Sequence, residues 1–131
     1  MNAVGIDVSK GKSTVAVIQP FGVVIAEPFD VLHTDSGLKE LVSFIKSLSG
    51  ETKVVMEYTG TYYEPVANAL LNAGIFVSVV NPLLLDDYDT NRVRKVKTDK
   101  IDALKIASYA LDKWIKLRKY EPAETVRKTL Q

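Results

Sequence analysis

Three short apolar, β-branched runs open the chain: AVGIDVS (3–9), KSTVAVIQ (12–19) and VVIAEPF (23–29), and in the first Val4, Ile6 and Val8 alternate with Gly5, Asp7 and Ser9 at a period of two. Such runs mark strands. The breaks SKGK and PFG supply turn residues between the runs, so the three strands are expected to form an antiparallel meander. The period then changes. In TDSGLKELVSFIKSL, Leu38, Leu41, Val42, Ile45 and Leu48 fall at helical spacing, and Thr34, Asp35 or Ser36 can cap the helix. TKVVME is a short, buried strand. YEPVANALLNAG is a helix with Pro65 in its first turn and Gly74 at its end. IFVSVV is a further strand, stopped by Asn81 and Pro82. NPLLLDDYDTNRVRKVK reads as a loop with a short helical piece, followed by a last helix from about Thr98 to Leu117. Pro122 interrupts the chain, and AETVRKTLQ reads as the start of another helix.

The order is three strands, helix, strand, helix, strand, helix. A meander followed by alternating helices and strands predicts an α/β fold: a mixed five-stranded sheet with helices on its faces. Right-handed crossovers place the fourth and fifth strands in parallel beyond the first. This is the ribonuclease H-like order of elements. Residues 1–120 are expected to form that domain, and 121–131 the start of a helical linker.

Composition narrows the chemistry. The chain has 131 residues and no cysteine, which removes disulfides, thiolate metal sites and cysteine nucleophiles and suits a reducing cytoplasm. MNAVGIDVSKGK lacks a signal-peptide pattern, and no apolar run approaches the roughly 18 residues of a membrane span. The expectation is a cytoplasmic protein with no membrane partner. A net charge of +1 hides an asymmetry: residues 1–91 hold 5 Lys and Arg against 11 Asp and Glu, and residues 92–131 hold 12 against 5. The basic part is either a site for a polyanion or a solvated helical surface.

Four acids stand out. Asp7 lies within an apolar strand, on the face shared by Gly5 and Ser9, where a carboxylate costs several kcal/mol unless compensated. Glu57 closes the strand TKVVME, which the topology sets beside the first strand. Asp99 and Asp102, in KTDKIDA, stand three apart and share a helix face. Each has a bland reading: a strand acid reaching solvent or a lysine, an acid beside a turn, and a helix N-cap with its first-turn partner. Together, converging carboxylates repel unless hard cations lie between them, and oxygen-only ligands favour Mg²⁺, or Mn²⁺. Arg92, Arg94, Lys95 and Lys97, with Lys100 beyond them, would then hold nucleic-acid phosphates.

GIDVSK near the start, MEYTGTYYEPVANALLNAGIFVSVVNP in the middle and VRKVKTDKIDALKIA near the end resemble the N-terminal, RuvC-like domain of the DEDD transposases of insertion sequence 110 type. The resemblance covers nearly the whole chain. It implies a RuvC-like fold with Asp7, Glu57, Asp99 and Asp102 as catalytic, metal-binding acids. It also implies DNA recombination as the activity, and DNA, a structured guide RNA and further copies of the chain as partners. Members are normally longer, with a second domain supplying a serine nucleophile. The expectation is therefore an excised domain or truncated product, and no serine here is assigned that role.

Other readings stay open beside this one. The chain could be a non-catalytic nucleic-acid-binding or oligomerisation module that keeps the acids, or a fragment of a sugar-kinase or actin-like ATPase, whose fold also begins with a Gly-x-Asp strand. A phosphate loop is excluded, because Ile6 stands where its first glycine is needed. Lys10 and Lys12 read as a solvated turn that can touch a phosphate. Tyr58, Tyr62 and Tyr63 read as packing residues with wet hydroxyls or as base-stacking groups. His33 has no partner in sequence for a metal role. Trp114 and Leu117 are expected to form an exposed partner surface.

Overall fold

The first three strands pair as the meander requires: β1 (Asn2–Ser9), β2 (Lys12–Gln19) and β3 (Val23–Leu32) are antiparallel neighbours. The chain continues through α1 (Asp35–Lys46), β4 (Thr52–Glu57), α2 (Tyr63–Asn72) and β5 (Phe76–Val80). A 3-10 segment at Pro82–Tyr88, α3 (Asp99–Asp112) and a 3-10 turn at Trp114–Lys116 complete it. The sheet order is β3-β2-β1-β4-β5, with β1–β4 and β4–β5 parallel. The computed structural model describes residues 1–58, 60–88 (side chains to 85) and 99–122. Arg92, Arg94, Lys95, Lys97 and the expected helix in AETVRKTLQ lie outside these residues.

Local chemistry explains the boundaries. Thr34 caps α1, its hydroxyl accepting from the Gly37 amide at 3.0 Å. Gly74, at φ 81, turns the chain out of α2 in the left-handed region. The third strand runs three residues past its expected end at Phe29, and Pro28 does not stop it. β3 is a sheet edge, where a missing N–H is tolerated, and register shifts on β2 around Val17 absorb the irregularity.

Alternation along β1 divides the core in two. Val4 and Ile6 face α1 and α2, packing with Val15, Val17, Val54, Met56, Leu41, Ile45, Val66 and Leu70. Ala3 faces the other way with Ile18 and Val55, beneath Ile106, Ala107 and Ala110 of α3. Gly5 and Asp7 therefore belong to the α3 face.

Two expectations about the end of the chain are corrected. The last helix stops at Asp112 rather than Leu117. Trp114 is no exposed surface: it is buried in the α3-side core, and Leu117 packs partly buried beside it. Turning the chain after Asp112 buries the indole and leaves Ile115 outside instead, 92% exposed.

Candidate active site

β1 and β4 run parallel, with Ile6 opposite Met56 as their last registered pair. Asp7 and Glu57 come next on each strand. Parallel neighbours in register present the same face, so both carboxylates sit on the α3 side, at the carboxyl ends of the two strands. Across the other edge of β1, Asp7 stands opposite Thr14 of β2, and Thr14 stands opposite Asp30 of β3. A polar row thus crosses four strands in the order Glu57, Asp7, Thr14, Asp30.

α3 closes over this row. Its sheet-facing residues are small, with Ala103, Ala107 and Ala110 fully buried, so the helix axis comes close to β1. Asp99 and Asp102 occupy its first turn. Their three-residue spacing sets both above Asp7.

The electrostatics register the convergence. The Asp7 carboxyl is pushed up to about 7, first by its burial, then by the charge of Asp102, a hydrogen bond with Asp99, and the charges of Asp99 and Glu57. Lys105, one turn along α3, partly offsets these charges: its Nζ lies 3.9 Å from Asp102 Oδ1, with the two side chains only 14% and 21% exposed. Among the described residues, no three acidic or histidine side chains are drawn tightly enough to form a closed ligand cage. The other three acids are neighbours of Asp7, Asp99 through a hydrogen bond and Asp102 and Glu57 through their charge.

The comparisons with known proteins agree with this geometry. The family model of the DEDD transposases of insertion sequence 110 matches residues 4–131. The chain belongs to that family. Its relatives include the pilin gene-inverting proteins of Moraxella bovis, 34% identical over 80 residues, and Moraxella lacunata, 32% identical over 80 residues. Each alignment covers 59% of this chain and 25% of the relative, so the chain spans about a quarter of the length of these proteins. Among solved structures, T. thermophilus RuvC in complex with a Holliday junction substrate superposes with a TM-score of 0.68 at 13% identity, covering 88% of this chain and 96% of that one. A second Thermus thermophilus RuvC structure gives 0.60 at 15% identity, covering 87% and 95%. The fold is RuvC-like, of the ribonuclease H class.

For this family member, all four sequence-predicted acids are brought to one place. Lys100 is exposed on the first turn of α3, beside Asp99. Among the tyrosines, Tyr63 packs edge-on to Tyr58 at 6.1 Å and to Tyr120 at 6.0 Å, while Tyr58 and Tyr62 stay about half exposed, at 46% and 48%. His33 meets the buried Ser13 hydroxyl, 2.7 Å from its Nε2. Sequence reasoning missed Lys105 and Asp30. A lysine three residues after Asp102 was a readable signal for the first; the second needed the β2–β3 register. No helix among the described residues is long and apolar enough to cross a membrane.

Proposed function

We propose that this chain is the metal-binding catalytic domain of a DNA transposase or site-specific recombinase, with Asp7, Glu57, Asp99 and Asp102 as its metal ligands. One observation carries the reading: two acids from the sheet and two from a helix converge so that the central carboxyl is held near 7. Charges so arranged favour a hard divalent cation, and a donor set of carboxylate oxygens suits Mg²⁺ or Mn²⁺. Asp7 and Glu57 would hold it from strand ends that the sheet makes rigid, and Asp99 and Asp102 from the helix. When bound, such ions supply stabilisation of the attacking and leaving oxygens in phosphodiester displacement. The chain's own part is to gather the four carboxylates around Asp7 and to keep Lys105 beside Asp102 as a partial counter-charge.

Family membership supports DNA as substrate, and so do the relatives named for gene inversion and the RuvC neighbour bound to a Holliday junction. The proposal extends to a structured guide RNA and further copies of the chain as partners, with Arg92, Arg94, Lys95, Lys97 and Lys100 gripping nucleic-acid phosphates. Calorimetric titration of Mn²⁺ against the chain and its Asp7→Asn variant tests the site. The wild type is expected to bind and the variant to lose most of its affinity. Equal affinity in the two would leave a nucleic-acid-binding module without catalysis.

A further inference from the structure

We infer that Lys12, held by Asp30, and Lys100, on the first turn of α3, form a phosphate-binding subsite that holds the nucleic-acid backbone beside the four acids. The inference deepens the proposed function and rests on it for the identity of the neighbouring acids.

The polar row places the subsite. Asp30 lies two strands from Asp7, on the same face, and strands are spaced about 4.8 Å apart, so the two backbone positions are separated by about 10 Å. Each nucleotide advances a duplex strand by about 3.4 Å along the axis. A backbone running along the row would therefore bring a phosphate a few nucleotides from the reacting one to Asp30.

Three groups bear on that position. The Thr14 hydroxyl, on a residue only 1% exposed, donates to Asp30 Oδ1 at 2.8 Å. Lys12 Nζ lies 3.5 Å from Asp30 Oδ2. Lys100 arrives from the first turn of α3, the helix that also carries Asp99 and Asp102. The Asp30 carboxyl is held below its ordinary range first by the Thr14 hydrogen bond, then by Lys12, with Lys100 adding to them. Thr14 fixes the Asp30 carboxylate, the carboxylate holds the Lys12 ammonium, and the charge of Lys100 reaches the same place from α3, so that two cations stand where a phosphate would lie.

The arrangement is open and exchangeable. Lys12 and Asp30 side chains are 44% and 55% exposed, and solvent screens an exposed pair of this kind so that it contributes little. Phosphate oxygens can take over both lysines without a large loss. Asp30 then acts as an internal anion: it holds Lys12 in the free protein and competes with the backbone for it. Lys12 is also one of only 5 basic residues among the first 91, so its place next to the acids is not explained by a generally basic surface.

Fluorescence anisotropy of labelled DNA and RNA oligonucleotides, measured with the 131-residue chain across a salt series in EDTA, tests the subsite without calling on metal binding. Replacing Lys12 and Lys100 together by alanine should weaken binding and flatten the slope of log affinity against log salt by about 1.8 for a duplex or about 1.4 for a single strand, the loss of two phosphate contacts. Asp30→Asn should tighten binding severalfold at low salt. Lys39→Ala with Lys46→Ala, on α1 across the sheet, should leave the slope unchanged. The oligonucleotide whose slope flattens identifies the strand held. An unchanged slope for both oligonucleotides, equal flattening by the α1 pair, or weaker binding by Asp30→Asn would each overturn the subsite. Mn²⁺ affinity, lost in Asp7→Asn but kept in the lysine double variant, separates this failure from failure of the metal site.

Discussion

Gly5 of β1 lies directly under Ala107 of α3, so closely that a β-carbon on Gly5 would collide with the Ala107 amide nitrogen and the Ala103 carbonyl oxygen and stand 2.9 Å from Ala107 Cα. The obstructing atoms are backbone, and no change of rotamer relieves them. Gly5 shares its face with Asp7, two residues on, and Ala103 follows Asp102 directly. The absence of a side chain at one position thus fixes how deeply the helix acids approach the strand acids.

Gly5→Ala should therefore lift α3. Overpacking at this contact is expected to cost about 1–3 kcal/mol and to leave the sheet and the α1–α2 side folded. The Mn²⁺ affinity of the folded variant should fall about tenfold or more, an effect of at least about 1.4 kcal/mol on the ion's binding. Thermal melts and calorimetry on the same sample separate the two effects. A lower melting temperature with unchanged affinity would make Gly5 a packing residue with no bearing on the site.

The raised Asp7 carboxyl predicts a pH dependence of stability whose sign is fixed. Its folded value is about 7 against an ordinary 3.8, so between these values the folded chain keeps a proton that the unfolded chain has released. The stabilising contribution is complete below about pH 4 and is lost as pH rises through 7. Asp7→Asn should abolish this slope. In EDTA at pH 8 the variant is expected to be more stable than wild type by about 1–2 kcal/mol, a figure already discounted for the carboxyl's partial solvent exposure. At pH 4 the two should be nearly equal. Urea melts at both values check it, and a variant that is less stable at pH 8 would contradict the electrostatic account.

Legibility from sequence followed the range of the interactions concerned. Period-two alternation placed Asp7 opposite in face to Val4 and Ile6, and strand order placed Glu57 beside it, because both depend on backbone geometry that every strand shares. The i, i+3 spacing paired Asp99 with Asp102 for the same reason. The end of α3 was hidden, since helical periodicity cannot see that Lys53, sixty-one residues away in sequence, accepts the turn after Asp112 by binding the Trp114 carbonyl. Asp30 was equally hidden. Its meeting with Thr14 follows from the β2–β3 register, which the irregularity around Val17 makes unreadable from the strand pattern.

That lysine supports a last expectation. Lys53 Nζ donates to Trp114 O at 2.9 Å and lies 4.8 Å from the Phe76 ring centre and 5.0 Å from that of Trp114. It thus clamps the chain beyond α3 to β4 and β5. Lys53→Met keeps the aliphatic stem and removes the charge, the hydrogen bond and both ring contacts, so stability should fall by about 1–3 kcal/mol. The clamp acts at the far end of a 14-residue helix, about 20 Å from Asp99. Mn²⁺ affinity should consequently stay within twofold of wild type, provided that Gly5 and the alanines of α3 hold the helix on the sheet by themselves. A large loss of affinity in Lys53→Met would mean instead that the site depends on α3 being anchored at both ends.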